Sequence, residues 1–513
     1  MKNEQRYTLH ATRYTNTEDN MYSNKTPNFS KSLVSSYGTI SMIVHAMACQ
    51  PAKNAGALTA VNAISDAVPL IHGPLGCGGL RKMNSFGVYS LFPDTPCTNL
   101  NELDLVYGAE EKLRRGIVET YERYHPALIV VIPTCPSDMI GDDLAAAVRA
   151  AKREVDCEVV YSTGEMIKGR PIGYHDVLCS LFDQLLPEGK KVAKTKDSVN
   201  IITFPIHTAG SKVEEMEEVL GEMGIKVNKV FFYNTKLKDI YDLPRASLNI
   251  TDLPLPWLDR MKERFGTDYF VTSSAGNLSD ATEMVPLGIK ESASIFSNIA
   301  GLLGKEKIAR DVLGRRVKEA EEKLLDEIRP LKGRKFAVVG GFLFGMLGLL
   351  LVKDMGMKAD LLIYRTYGLE SHGMGKETIK KIVDMDRETA KKYGLDPKIL
   401  INPSHEEEIK AIAESEIDIV IAPTADIPRY NQAGIRGFDS INFFFNVSSI
   451  GFECPLRVAR MINEELERPA KKHPLLGMLD YDEHESTLLP HWVRLENVWR
   501  AVTEGADGGC LYG

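Results

Sequence analysis

Several marks of familiar protein classes are missing from this chain. Eight cysteines in 513 residues are too few for a disulfide framework. No apolar run reaches the ~20 residues that a membrane helix needs. The longest, Phe336 to Val352, has 17 residues, four of them glycine, between Arg334-Lys335 and Lys353-Asp354. A buried strand entering a glycine turn and a helix explains it better. Basic residues are not in excess either. There are 62 Lys and Arg against 70 Asp and Glu, which gives a net charge of -8 and a pI near 5.9. That argues against a general nucleic-acid binder. The opening Met-Lys-Asn-Glu-Gln-Arg-Tyr has no apolar core of a signal peptide. A reducing cytoplasm is the expected location, and no membrane partner is expected. In such a compartment conspicuous cysteines are more often ligands or nucleophiles than bridges.

What remains is an ordinary globular composition, 44% hydrophobic and 26% charged. At about 150 residues per domain the length suggests roughly three domains. The first 35 or so residues are polar and read as an arm. Leu103 to Tyr124 has a helical period and leads through His125-Pro126 into Ala127 to Ile132, which suits a buried parallel strand. Leu144 to Glu154 reads as the next helix. Further strands are expected near Val199 to Phe204, Val227 to Tyr233, Lys335 to Val339, Ala359 to Tyr364 and Ile417 to Ala422. Helices are expected near Lys212 to Met223, Leu343 to Met355 and Glu377 to Tyr393. Lys305 to Ile328 is a long charged helix that could separate the second and third domains. Repeated strand-helix alternation implies parallel sheets covered on both faces. The expected fold class is therefore α/β.

Three cysteines in the first third of the chain carry the chemistry. Cys49 lies in Ala-Cys-Gln-Pro, Cys77 in His-Gly-Pro-Leu-Gly-Cys-Gly-Gly, and Cys135 in Thr-Cys-Pro-Ser-Asp-Met-Ile-Gly-Asp-Asp-Leu. They are 28 and 58 residues apart, which excludes the close ligand pairs of a zinc finger. Cys77 is wrapped by Gly73, Pro74, Gly76, Gly78 and Gly79. Such glycines let backbone approach a bulky group and turn N–H groups toward anionic sulfur. A phosphate loop or a plain tight turn is the alternative, but the Gly-Lys-Ser/Thr of a Walker loop is missing. Cys135 follows a buried strand, at the edge where open α/β sheets bind ligands. A structural turn and a nucleophilic thiolate are its alternatives. The nearest histidine, His125, sits at the strand's opposite end. Cys157 and Cys179 read equally well as small buried hydrophobes.

Together, Cys49, His72-Gly-Pro-Leu-Gly-Cys77 and Thr134-Cys135-Pro-Ser-Asp-Met-Ile-Gly-Asp-Asp-Leu144 resemble the cluster-binding signature of the large nitrogenase component and its relatives. Val106-Tyr-Gly-Ala-Glu-Glu-Lys-Leu113 and Gly451-Phe-Glu also resemble that family, and a weaker likeness extends over most of the chain. The resemblance implies three Rossmann-like α/β domains per subunit and an α2β2 assembly of homologous α- and β-type subunits. It implies an iron–sulfur cluster, P-cluster-like or 4Fe–4S, shared with the partner subunit. Cys49, Cys77 and Cys135 would be its ligands on this side, with Gly76 and Gly78 lining the site. Soft thiolates suit such clusters. An ATP-dependent iron protein would supply electrons, and the complex would hold a second, active-site cluster.

The implied domains are an iron–sulfur domain at 36–198, Rossmann-like domains at 199–304 and 334–470, a connecting helix at 305–333, and an extension at 471–513. The middle domain contains no cysteine, and Phe438 to Ile450 contains no histidine. The second cluster's usual ligands thus have no counterpart. Cys454 and His372 are the third-domain candidates, and neither sits where the pattern wants it. Cys454 reads otherwise as a buried residue at a helix start. The missing ligands and Ala-Cys-Gln-Pro favour a β-type subunit. His-Gly-Pro-Leu-Gly-Cys and the Tyr-Gly-Leu-Glu-Ser-His loop favour an α-type or scaffold subunit. The balance favours β-type, as part of a reductase acting on dinitrogen or a small organic such as a methylthio-alkane. A cofactor-assembly scaffold and a non-redox binding protein are the competing functions. Cys510, in the Gly-rich C-terminal tail, is unexplained.

Overall fold

A computed structural model of the chain describes residues 53–78, 95–162, 170–186, 192–202, 213–231, 235–251, 256–272, 287–340, 344–365, 376–423, 426–432, 434–440 and 450–468. Cys49, Gly79, His372, Cys510 and the arm at 1–35 lie outside these residues.

Three parallel sheets follow one another along the chain. The first holds β1 (Ala67–His72), β2 (Leu128–Pro133) and β3 (Glu158–Tyr161) in that order. The second runs β5-β4-β6-β7, from β4 (Ser198–Ile202), β5 (Lys226–Phe231), β6 (Leu248–Thr251) and β7 (Asp268–Val271). The third runs β10-β9-β8-β11-β12, from β8 (Lys335–Val339), β9 (Lys358–Tyr364), β10 (Lys398–Ile401), β11 (Ile419–Ala422) and β12 (Gly437–Asp439). All of the sheet pairings are parallel. No described helix is long and apolar enough to cross a membrane.

In the first sheet, local sequence explains each element. All six residues of β2, Leu-Ile-Val-Val-Ile-Pro, are buried, as befits a central parallel strand. The expected helix over 103–124 is in fact two, α1 (Glu102–Tyr107) and α2 (Glu110–Tyr124). Asn101 and Asp104 form a capping box at the start of α1. Gly108, at φ +89°, then turns the chain before α2 begins. Leu113, Ile117 and Thr120 give α2 its buried stripe. His125 closes it in the left-handed conformation, its N–H bonded to the Tyr121 carbonyl.

The apolar run from Phe336 becomes β8, a π-helical turn at Phe344–Gly348 and a short helix at Leu349–Lys353. The long charged helix is present at Glu306–Ile328. Its buried Ala309, Leu313, Ala320 and Leu324 join one core with residues of the second and third sheets, so it ties these sheets together. The Gly451-Phe-Glu segment is a second tie. Glu215 accepts the N–H groups of Phe452 (2.7 Å) and Glu453 (3.1 Å), and Ser292 Oγ donates to the Gly451 carbonyl at 3.0 Å. A carboxylate from the middle of the chain thus satisfies orphan donors at the start of the helix Cys454–Glu467. Cys454 itself is buried in the shared core, at that helix start.

One buried pair makes stability depend on pH. Tyr364, on β9, donates its hydroxyl to Asp386 at 2.5 Å, and both are buried. Burial raises the Asp386 carboxyl to about 6, against a lowering by the Tyr364 hydrogen bond. Because the folded value lies above the unfolded one, the native state holds the proton longer. The favourable contribution is full below pH ~4 and is lost as pH rises through ~6. Asp386→Asn is expected to flatten this slope, which is on the order of 3 kcal/mol. Urea melts of both proteins between pH 4 and 7 check it. Parallel pH dependences in the two would show that Asp386 does not contribute.

Candidate metal centre

Register places the cysteine motifs side by side. β1 pairs with β2 so that His72 lies opposite Pro133. The segments carrying Cys77, in a helical turn at 75–78, and Cys135 therefore leave the same carboxyl edge from adjacent strands. Cys135 is the first residue of a short helix, α3 (Cys135–Ile140), and not a loop residue. Thr134 and Ser137 form its capping box, with Pro136 in the first turn. Cys135 is exposed and Cys77 half-buried.

Hydrogen bonds fasten the two loops together. The His72 carbonyl accepts from Thr134 N (3.1 Å), Thr134 Oγ1 (3.0 Å) and Ser137 Oγ (2.9 Å). Gly73 packs straight onto Thr134. A Cβ there would lie 2.1 Å from Thr134 Oγ1.

The side chain of His72 reaches the opposite way. Its Nε2 meets Asp142 Oδ2 at 2.9 Å, and its Nδ1 meets Thr98 Oγ1 at 3.0 Å. Burial lowers its pKa, with Asp142 opposing the shift. A carboxylate can only accept, so Nε2 carries the proton of the neutral ring. Thr98 then donates to Nδ1 and accepts from Gly73 N–H at 3.1 Å. Asp142 Oδ1 also accepts from Ala109 N at 2.9 Å. This one carboxylate thereby joins three motifs that are separate in sequence: His-Gly-Pro, Tyr-Gly-Ala and Gly-Asp-Asp. Asp143 instead caps the next helix, Leu144–Ala151, by accepting from Ala146 N at 2.8 Å.

The glycines divide by role. Gly78 is packed against Cys97, whose Cβ would lie 3.2 Å from an added Cβ. An added Cβ at Gly76 would meet nothing within 4 Å among the described residues. No described residue fills the space beside Gly76, while Gly73 and Gly78 are filled from within the chain.

Cys97 is a residue that sequence reasoning missed. Its Sγ donates to the carbonyls of Gly73 (3.1 Å) and Pro74 (3.5 Å), and burial pushes its thiol up. It braces the Cys77 loop as a protonated donor. Its parallel bridge to Ile71 has no sequence signature. Cys157 and Cys179 pack against apolar clusters, and burial pushes their thiols to about 11 and about 12. Both fit the small-hydrophobe reading.

Exposed apolar side chains sit on the segments that follow β1 and β2 and on α1. Leu75, Leu103, Val106, Tyr107 and Met139 are 63% to 83% exposed, and α1 lies against α3. Such a patch marks an interaction surface. Among the described residues just after the third sheet's strands, a buried charge cluster stands instead. Arg365 donates to both oxygens of Asp426 and to both of Glu408, and all three are largely buried.

No group of three or more metal-ligating side chains converges among the described residues. Among the described residues, Cys77 and Cys135 are the thiols carried by the segments that leave this edge after β1 and β2. The donor set nevertheless fits a thiolate-bound centre completed by further ligands. Cys135 is open to an approaching group, and Gly76 leaves room beside Cys77.

Fold and edge together define a class: multi-sheet parallel α/β proteins that present thiols from adjacent strand ends. The chain belongs to the nitrogenase component 1 type oxidoreductase family, whose model matches residues 49–467. It is similar to the nitrogenase iron-molybdenum cofactor biosynthesis protein NifE of Clostridium pasteurianum, 26% identical over 75% of this chain and 80% of that one. NifE of Rippkaea orientalis is 25% identical over 84% of this chain and 89% of that one. The nitrogenase molybdenum-iron protein alpha chain of C. pasteurianum is 30% identical, over 44% of this chain and 43% of that one. Among solved structures, nitrogenase Cp1 at pH 6.5 superposes with a TM-score of 0.59 at 19% identity, covering 86% of this chain and 91% of that one. This last likeness shows the fold.

Proposed function

We propose that the chain is one subunit of a nitrogenase-type cofactor-assembly scaffold. The observation that carries this is the extent of the likeness. Relatives named as cofactor biosynthesis proteins align over 59% to 89% of their length, whereas alpha chains align over 42% and 43%. An alpha chain among the relatives also favours the α-type side of a pair, against the β-type expectation from the missing ligands.

Cys77 and Cys135, with Cys49, hold this chain's half of an iron–sulfur cluster, and a homologous subunit supplies the rest. When bound, the cluster supplies a one-electron site at the interface. Gly76 leaves the space for it, and His72, Thr98 and Asp142 fix the loop that carries Cys77. The exposed patch of Leu75, Val106, Tyr107 and Met139 is the surface that the partner covers, which would keep water from the thiolates. Domains at 36–198, 199–304 and 334–470 are part of this reading. An α2β2 assembly, an ATP-dependent iron protein as electron donor and a cytoplasmic location belong to the same reading.

A second reading keeps the subunit within a substrate-reducing enzyme, and the 30% identity to an alpha chain favours it. One experiment separates the two. The chain is purified anaerobically with its partner subunit, and iron, acid-labile sulfide and ATP-dependent substrate reduction are measured. The scaffold should carry iron, release it to an apo acceptor and sustain no turnover. Steady ATP-dependent reduction of dinitrogen or a small organic substrate would replace the scaffold reading with the reductase. A colourless, iron-free complex from an iron-replete host would sink both.

A further inference from the structure

A cleft of about 490 Å³ opens beside the first sheet, between α2 and the segment 95–98. That segment runs parallel to β1 as an extra edge, through Ile71 N to the Pro96 carbonyl and Thr98 N to the Ile71 carbonyl, each at 2.9 Å. The volume is that of a small-molecule site.

The cleft is locally basic in an acidic protein. Lys112, Arg115 and Arg123 line it against the single carboxylate of Glu119. Lys112 is engaged by Asp104 and the Asn99 carbonyl. Arg115 and Arg123 have no ion-pair partner among the described residues. Arg114, one residue away, holds both Glu111 and Glu154. The Arg123 guanidinium lies over the Tyr124 ring, 5.3 Å from its centroid, which orients it and leaves its N–H fork unpaired.

A second, independent observation comes from the wall. Thr95 is 7% exposed, and its hydroxyl has no hydrogen-bond partner among the described residues. The other two threonines of the cleft are satisfied, Thr98 by His72 and Gly73, and Thr120 by the Gly116 carbonyl. Buried hydroxyls are normally paired, so an unpaired one in a basic cleft points to a missing occupant.

We propose that this cleft binds a small, multiply charged oxyanion, a phosphate- or carboxylate-bearing metabolite. Arginine forks match both anions in geometry and charge. An occupant would bear on the segment 95–98. Through Thr98, that segment holds the His72 ring and the Gly73 N–H, so occupancy would stiffen the loop that carries Cys77. The binding site itself stands on its own residues, whatever the Cys77 loop holds.

Isothermal titration calorimetry of the full chain tests it, with pyrophosphate in one arm and citrate in the other, at constant ionic strength in potassium chloride. At least one of them should bind saturably at one site per chain with a submillimolar Kd. The arm that binds more tightly identifies the phosphate or the carboxylate source. Arg115→Gln/Arg123→Gln should raise that Kd at least about tenfold. Both residues are exposed, so the variant should melt with the parent. The control Arg149→Gln/Arg153→Gln, also on exposed positions, should bind as the parent does. No saturable heat in either arm, or an unchanged Kd in the Arg115/Arg123 variant, would overturn the proposal.

Discussion

Replacing Cys135 by serine is expected to remove most of the iron from the assembled complex and to weaken subunit pairing. The side chain is exposed, so no core packing is lost with it. Its helix is started by Thr134 and Ser137, which the substitution leaves in place. The isolated chain should therefore fold and melt as before. What changes is the donor. A serine hydroxyl is a hard, weakly acidic ligand, whereas iron–sulfur centres are held by thiolates. Metal binding is coupled to assembly where the site is completed only across an interface. Iron and sulfide per complex should fall by more than about half, and the complex should dissociate more readily on size exclusion. Cys97→Ser is the internal control. Its sulfur serves as a donor to the Gly73 and Pro74 carbonyls, a role that a hydroxyl can take over. Iron should survive that change. Full iron content in the Cys135 variant, with unchanged oligomer size, would remove Cys135 from the ligand set.

The contrast between Cys135 and Cys97 also shows where sequence reasoning reaches and where it stops. Residues 127–132 are legible as a buried strand because six apolar residues in a row, mostly β-branched, admit few other environments. The observed strand is displaced by one residue, to Leu128–Pro133. The same reasoning runs α1 and α2 together. Periodicity alone does not register that Gly108 takes a positive φ between them. Cys135 reads as a loop residue because its capping box uses Ser137 at the third position, where the usual signal is Glu or Gln. The brace around Cys77 is of another kind. His72 and Asp142 are 70 residues apart, and Gly73 meets Thr134 only because β1 and β2 pair in one register. Those contacts are products of topology. Sequence supplies the residues but not their neighbours, which is why Cys97 and Thr98 could pass unnoticed. Comparison also shifts the function. The motifs read alone favour a reductase subunit, with a scaffold as the alternative, and the likeness to relatives named as cofactor biosynthesis proteins favours the scaffold.

Gly73→Ala is expected to damage both stability and metal content, and Gly76→Ala metal content alone. An added methyl at Gly73 would sit 2.1 Å from Thr134 Oγ1 and 2.6 Å from Thr134 Cγ2. Thr134 cannot rotate away cheaply. Its Oγ1 donates to the His72 carbonyl, its N–H donates to Ser137 Oγ, and it is only 1% exposed. If Thr134 shifts, Cys135 shifts with it as the next residue. If Gly73 retreats instead, its N–H leaves Thr98, and the His72 ring loses its support. Overpacking of this kind typically costs about 1–3 kcal/mol or more. Differential scanning of the isolated chain should show a lower melting temperature. Thr134→Ala, added to Gly73→Ala, removes the two closest atoms and should restore part of the loss. Gly76 is the opposite case, with nothing among the described residues within 4 Å of an added Cβ. Its alanine variant should melt like the parent within about 0.5 kcal/mol. If the open space beside Gly76 is where the cluster sits, the same variant should nevertheless carry less iron once paired with its partner. A Gly76→Ala complex with full iron would show that this space is ordinary solvent. A Gly73→Ala chain with parental melting would show that the Cys77 and Cys135 loops are not fastened in the way these contacts require.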